Sequence, residues 1–165
     1  MAFLILFVWF VLAYLLQLHV LPVWGWVLTT PELLLTVSAV GGRVYGMGRT
    51  LPFALLFGAA ADLTLGFGYG GFLIPMTAAV MLFHGSERLS SERPYAAALA
   101  TGAAAMLARL FRACIQMILG HGFFPAGREW LAIAGSGLFS ALAALILMIA
   151  AEHRSRRERE GRYRL

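Results

Sequence analysis

The chain has 165 residues, 61% of them hydrophobic and only 13% charged, with a formal charge of +5 in which all thirteen basic residues are arginine. An ordinary soluble domain carries roughly one-quarter charged residues, so this composition excludes one, and the length leaves room for a single domain. Crossing a hydrocarbon core about 30 Å thick takes about 20 helical residues, so six crossings would use nearly the whole chain.

The first apolar run covers residues 2–21, and no charged side chain appears before Glu32. It lacks a basic start and a small-x-small ending and is too long for a signal peptide, so it reads as a retained span. Further apolar stretches cover about 31–45, 50–65, 71–83, 95–119 and 130–151, followed by a basic tail over 152–165. Pro22, Gly25 and Pro31 break the first connection, Gly41, Gly42, Gly46 and Gly48 loosen the second, and Gly66 to Gly71 form the third. These are turn-forming residues where turns are needed.

Backbone amides must be paired internally in lipid, and long runs without alternation exclude a barrel. The predicted fold is therefore an all-α membrane protein, a single six-transmembrane-helix bundle over residues 1–151. The second and fourth spans are short: 31–45 rises only about 22 Å as a helix, which predicts kinking or shielding by neighbouring helices.

Arginine placement gives an orientation. Arg43 and Arg49 lie in the second connection, Arg88 and Arg93 in the fourth, and Arg154, Arg156, Arg157, Arg159, Arg162 and Arg164 in the tail, against Arg128 alone in the fifth. The positive-inside rule then puts both termini in the cytoplasm. Trp24, Trp26, Tyr69 and Trp130 fall at the outer boundary, with Tyr45 and Tyr95 at the inner one, as interfacial aromatics should. The arginine tail predicts anionic lipid as its partner and no nucleic acid. Cys114 is the only cysteine, so no internal disulfide can form.

Three ionisable residues lie within spans: Asp62 in the third, and Arg109 and Arg112 in the fifth. Each costs about 2.5–3.5 kcal/mol on insertion scales. Counted from the inner ends of their spans, Asp62 lies about 20 Å deep and Arg109 about 21 Å. Arg109, Arg112 and Gln116 share one helix face. These depths predict that Asp62 pairs with Arg109 or Arg112 inside the bundle; a proton or anion site is the functional alternative.

Gly58, Asp62, Gly66 and Gly70 recur every four residues, a spacing that makes a narrow helix groove for close packing or for a partner's span. Ala96, Ala100, Ala104 and Ala108 on the fifth span, and Gly137, Ala141 and Ala144 on the sixth, offer matching small faces. Chemistry-bearing groups are sparse. Gly135-Ser136-Gly137 reads as a packing surface without nucleophile-elbow context, and His19, His84, His121 and His153 have no metal-ligand spacing. No catalytic, metal or cofactor site is expected. Glu32, Trp24, Trp26, His121 and Trp130 are the residues that would line a small-molecule pocket near the outer face.

Pro31-Glu32-Leu33-Leu34-Leu35 opening the second span, and Phe57-Gly58-Ala59-Ala60-Ala61-Asp62-Leu63-Thr64-Leu65-Gly66 followed by Gly70, give the chain its resemblance to a family. It resembles the bacterial rod shape-determining membrane protein MreD. The resemblance implies a six-helix fold similar to the substrate-binding subunits of energy-coupling vitamin transporters. It also implies a non-catalytic inner-membrane scaffold of the cell-elongation, peptidoglycan-synthesis machinery. The implied partners are MreC, bound directly, with MreB, RodA and its penicillin-binding partner in the same complex; a homo-oligomer is compatible with this. The alternative function is a small-molecule-binding subunit of a vitamin-type transporter.

Overall fold

The computed structural model describes residues 2–20, 31–65, 70–85, 94–120 and 127–162. Among these residues six α-helices follow one another: α1 (Ala2–Leu15), α2 (Leu33–Tyr45), α3 (Met47–Leu65), α4 (Leu73–Gly85), α5 (Pro94–Ile118) and α6 (Arg128–Arg162). No strand occurs among the described residues. The segments Ala2–Val20, Pro94–Ile118 and Glu129–Ala151 are long and apolar enough to cross a membrane. Length and composition thus mark a membrane protein.

α1 is apolar on all sides and buries only Leu6, Phe10 and Ala13. With Gln17 these residues follow the i, i+4, i+7, i+11 spacing of one helix face. The opposite face leaves Leu4, Val8 and Leu12 exposed. After Leu15 the helix widens into a π-helical turn, Leu16–Val20, and Gln17 is the one buried residue of that turn.

α2 is the centre of the bundle. It lies against α1, α3, α4, α5 and α6, and every residue from Leu34 to Gly42 is buried. A helix buried all round has no polar face to present, which explains its run of leucine, valine and small residues. Thirteen residues rise about 20 Å, short of a bilayer core, and the surrounding helices shield it. Gly46, at φ +83°, ends it and α3 begins one residue later. α3 therefore starts at Met47, ahead of the expected Thr50, with Pro52 inside its first two turns.

Two apolar clusters share α2. Leu34 and Val37 pack with Leu6, Phe10, Phe53 and Met76, while Leu35, Ala39 and Val40 pack with Ala79, Ala105, Ala144 and Met148. The Phe10 ring stacks near Phe53 and Phe57, at 5.7 and 5.5 Å between centroids.

The most extensive helix pair is α5 with α6. Its close approach rests on two glycines: a Cβ on Gly102 would sit 2.6 Å from the Gly137 carbonyl oxygen and 2.9 Å from the Ala141 Cβ. Gly137, Ala141 and Ala144 thus lie at packed positions on α6, with Ala144 fully buried. On α5 the buried face is Ala97, Ala98, Thr101, Gly102, Ala105 and Ala108. The expected stripe shares only Ala108 with it, since Ala96 and Ala100 are exposed. The basic tail is no separate element; α6 continues unbroken to Arg162.

A buried glutamate and two arginines as the candidate functional site

At the end of the bundle where α2 and α4 begin and α5 finishes, Glu32 is bound from several directions. Its carboxylate Oε1 accepts from Arg109 Nε at 3.0 Å and from Arg112 Nη2, and its Oε2 accepts from Gln17 Nε2 at 3.2 Å. Its own N–H donates to Ser140 Oγ at 2.8 Å. The Glu32 carbonyl accepts from Thr36 N–H and Thr36 Oγ1, at 2.9 and 2.8 Å. Glu32 is 3% exposed and Arg112 9%.

The arrangement follows from a helix end placed inside a protein. The first amides of α2 have no intrahelical acceptors, and in an apolar interior each unmet donor costs roughly 1–3 kcal/mol. Gln17 Oε1 accepts the Leu34 N–H at 2.8 Å, while Ser140 takes that of Glu32. One glutamine therefore serves both an amide and the carboxylate. The π-helical turn is where it departs from α1, a local widening often found at functional positions. Arg112 also lays its guanidinium over the Phe72 ring, 4.4 Å from Cζ to centroid, a cation–π contact.

Asp62 does not join this cluster, so the expected pairing of Asp62 with Arg109 or Arg112 is corrected. Its Oδ1 accepts the Phe72 N–H at 2.7 Å and its Oδ2 the Leu73 N–H at 3.1 Å. Asp62 caps α4 from a neighbouring helix, where a negative charge also meets the positive end of the helix dipole. Packing is the reason. A Cβ on Gly58 would lie 2.9 Å from the Leu73 Cα, so the absent side chain lets the start of α4 come down beside α3, one turn below Asp62. The two carboxylates remain neighbours through Phe72, whose amide meets Asp62 and whose ring meets Arg112.

The same contact corrects the expected partner groove. Gly58 is buried against α4 of its own chain, and Gly70 lies in the turn before α4 at φ +81°, off the α3 face. Gly66 lies outside the described residues. Of the outer-pocket residues, Glu32 belongs to the charge cluster and Trp130 is exposed in the first turn of α6. Trp24, Trp26 and His121 lie outside the described residues, as does Tyr69.

Sequence reasoning missed Gln17, Ser140 and Phe72. Signals existed: Gln17 is the sole amide side chain in the uncharged opening run, and Ser136 and Ser140 share one face of α6 at i, i+4 spacing. Among the described residues no group of three His, Cys, Asp or Glu could hold a metal ion. Comparison with family models, curated proteins and solved structures finds no match to this chain.

Proposed function

We propose that this chain is a non-catalytic membrane scaffold of the MreD type. All six helices embed in the bacterial inner membrane, α2 and α4 sheltered by the others, with both termini cytoplasmic and the arginines at the end of α6 on the anionic leaflet. One observation carries the reading: Glu32 ties the turn after α1, α5 and α6 to the start of α2, its carboxylate taking Gln17, Arg109 and Arg112 by charge-assisted bonds and its backbone N–H donating to Ser140. Removing one partner of such a buried pair costs about 3–5 kcal/mol, so the arrangement suits a rigid platform better than a moving part.

In this reading the single span of MreC docks on one of the exposed apolar helix faces, and the bundle fixes MreC's extracytoplasmic domain above the membrane. MreB, RodA and its penicillin-binding partner join the same assembly. Gly58 is not the docking groove, because α4 fills it. The test is capture of tagged MreC by the full chain from co-expressing membranes. Stoichiometric co-purification that survives detergent exchange supports the scaffold; failure of MreC to travel with correctly folded protein removes it.

A further inference from the structure

Glu32, at the entry to α2, holds Gln17 of the turn after α1, Arg109 and Arg112 of α5, and Ser140 of α6. α3 and α4 are absent from that set. They form a unit of their own at the same end of the bundle, where both oxygens of Asp62 accept the Phe72 and Leu73 amides. Phe72 belongs to both groups: its N–H goes to Asp62 at 2.7 Å, while its buried ring lies against the Arg112 guanidinium, 4.4 Å from Cζ to centroid.

The geometry of Arg112 gives that ring a task. Arg112 meets Glu32 through Nη2 alone, whereas a guanidinium matched to one carboxylate usually makes two parallel bonds. Oε1 is shared with Arg109 and Oε2 is held by Gln17. A single bond fixes a distance but lets the guanidinium plane turn about it. A second surface must set the plane, and an aromatic face does so by attracting the cation onto the ring. The Phe72 ring is itself well placed for this, because Asp62 fixes its amide and the bare Gly58 lets the start of α4 settle against α3. Elsewhere α4 packs chiefly on α2 and α3. It shares an apolar cluster with α5 through Ala79, Phe83, Ala97 and Ala98, toward the other end of the bundle.

We propose that Phe72 is a positioning residue that transmits the fit of the Asp62 cap to the plane of Arg112, and so joins α3 and α4 to the Glu32 cluster. The relay runs from Asp62 through Phe72 and Arg112 to Glu32, and from Glu32 to Gln17 and Ser140. All six helices are thereby linked at one end of the bundle. Every step is a directional contact, so a disturbance at Asp62 reaches Arg112 by tilting the Phe72 ring. Coupling of this kind is reciprocal, and Arg112 in turn holds the first turn of α4 closed. The relay stands apart from the identity of any partner, so failed capture of MreC and failed coupling are told apart.

The full chain carrying isotopically labelled arginine, reconstituted in phosphatidylcholine nanodiscs, reports the plane of Arg112 through its Nε–H resonance, which the ring current of Phe72 displaces. R112K assigns that signal by deleting it. D62N weakens the cap at nearly constant side-chain size, and it moves the Arg112 resonance far more than that of Arg109. F72L keeps an apolar side chain and removes the aromatic face, so the resonance loses its displacement and adding D62N moves it no further. In the reverse direction, R112K keeps a charge for Glu32 but loses the flat surface that stacks on the ring. It speeds amide exchange at Leu73 and Ile74 about tenfold, the scale of a desolvated cation–π contact. Where F72L fails to fold, D62N and R112K decide the question by themselves. An Arg112 resonance unmoved by D62N overturns the relay, as does a D62N shift that persists undiminished in F72L, or wild-type exchange at the start of α4 in R112K.

Discussion

Glu32 and Asp62 are both buried carboxylates in an apolar bundle, yet they are satisfied by opposite kinds of donor. Glu32 takes two guanidinium groups and a carboxamide from other helices; Asp62 takes two backbone amides at the start of α4. Both solve the same physical problem, since an unpaired ion inside a protein is very costly. The difference is what each holds. Glu32 joins side chains from separate helices, whereas Asp62 satisfies a helix end that would need an acceptor in any case. Glu32 should therefore be the more consequential of the two.

The largest expected effect is E32A, which removes the carboxylate that Arg109 and Arg112 both contact. It should cost about 3–5 kcal/mol, seen as loss of the folded, monodisperse peak on size exclusion or as a sharply lowered thermal midpoint in detergent. Equal tolerance of E32A and D62A would erase the distinction.

Double-mutant cycles sharpen it further. Glu32 and Arg112 touch, so E32A combined with R112Q should be non-additive by about 0.5–3 kcal/mol, whereas D62A with R112Q, linked only through Phe72, should couple more weakly than that. A strong coupling in the second cycle would restore the pairing expected from depth alone.

G58V comes next, because it tests how Asp62 reaches its amides. A branched side chain at a position already 2.9 Å from the Leu73 Cα should push α4 outward and cost about 1–3 kcal/mol. Introduced into D62A, the same change should cost less, since the cap is already gone; thermal unfolding of the single and double variants decides it.

D62A alone is the smallest effect, about 0.5–2 kcal/mol for a lost helix cap. It should leave the cluster at Glu32 intact. Accelerated amide exchange confined to the first turn of α4 is the expected signature.

Burial depth misassigned the carboxylate for a physical reason. Helical rise gives a coordinate along one axis only, and it places Asp62 at the depth of Arg109. Glu32, at the start of α2, reads from the sequence as a pocket residue near the outer face. Two facts across the bundle decide the partner: α2 starts inside the protein instead of at its rim, and α4 occupies the position beside Asp62. Neither is periodic, so neither leaves a local trace. By contrast, Arg109 and Arg112 at i, i+3 had to share a face directed away from lipid, and there they meet Glu32. The α5 and α6 contact is half legible: Gly137 and Ala141 mark a small-residue face in the sequence, but nothing in it sets the register of α5 that brings Gly102 to them.

What the sequence determined by itself is the class of molecule: apolar runs without alternation leave helices as the way to pair backbone amides out of water, and scarce buried charges must find donors or acceptors inside the bundle. The tertiary structure alone decided which charge meets which. That choice depends on lateral packing, where a glycine at one position admits a helix end and a widened turn at another delivers a glutamine, and no single-chain periodicity encodes distances between helices.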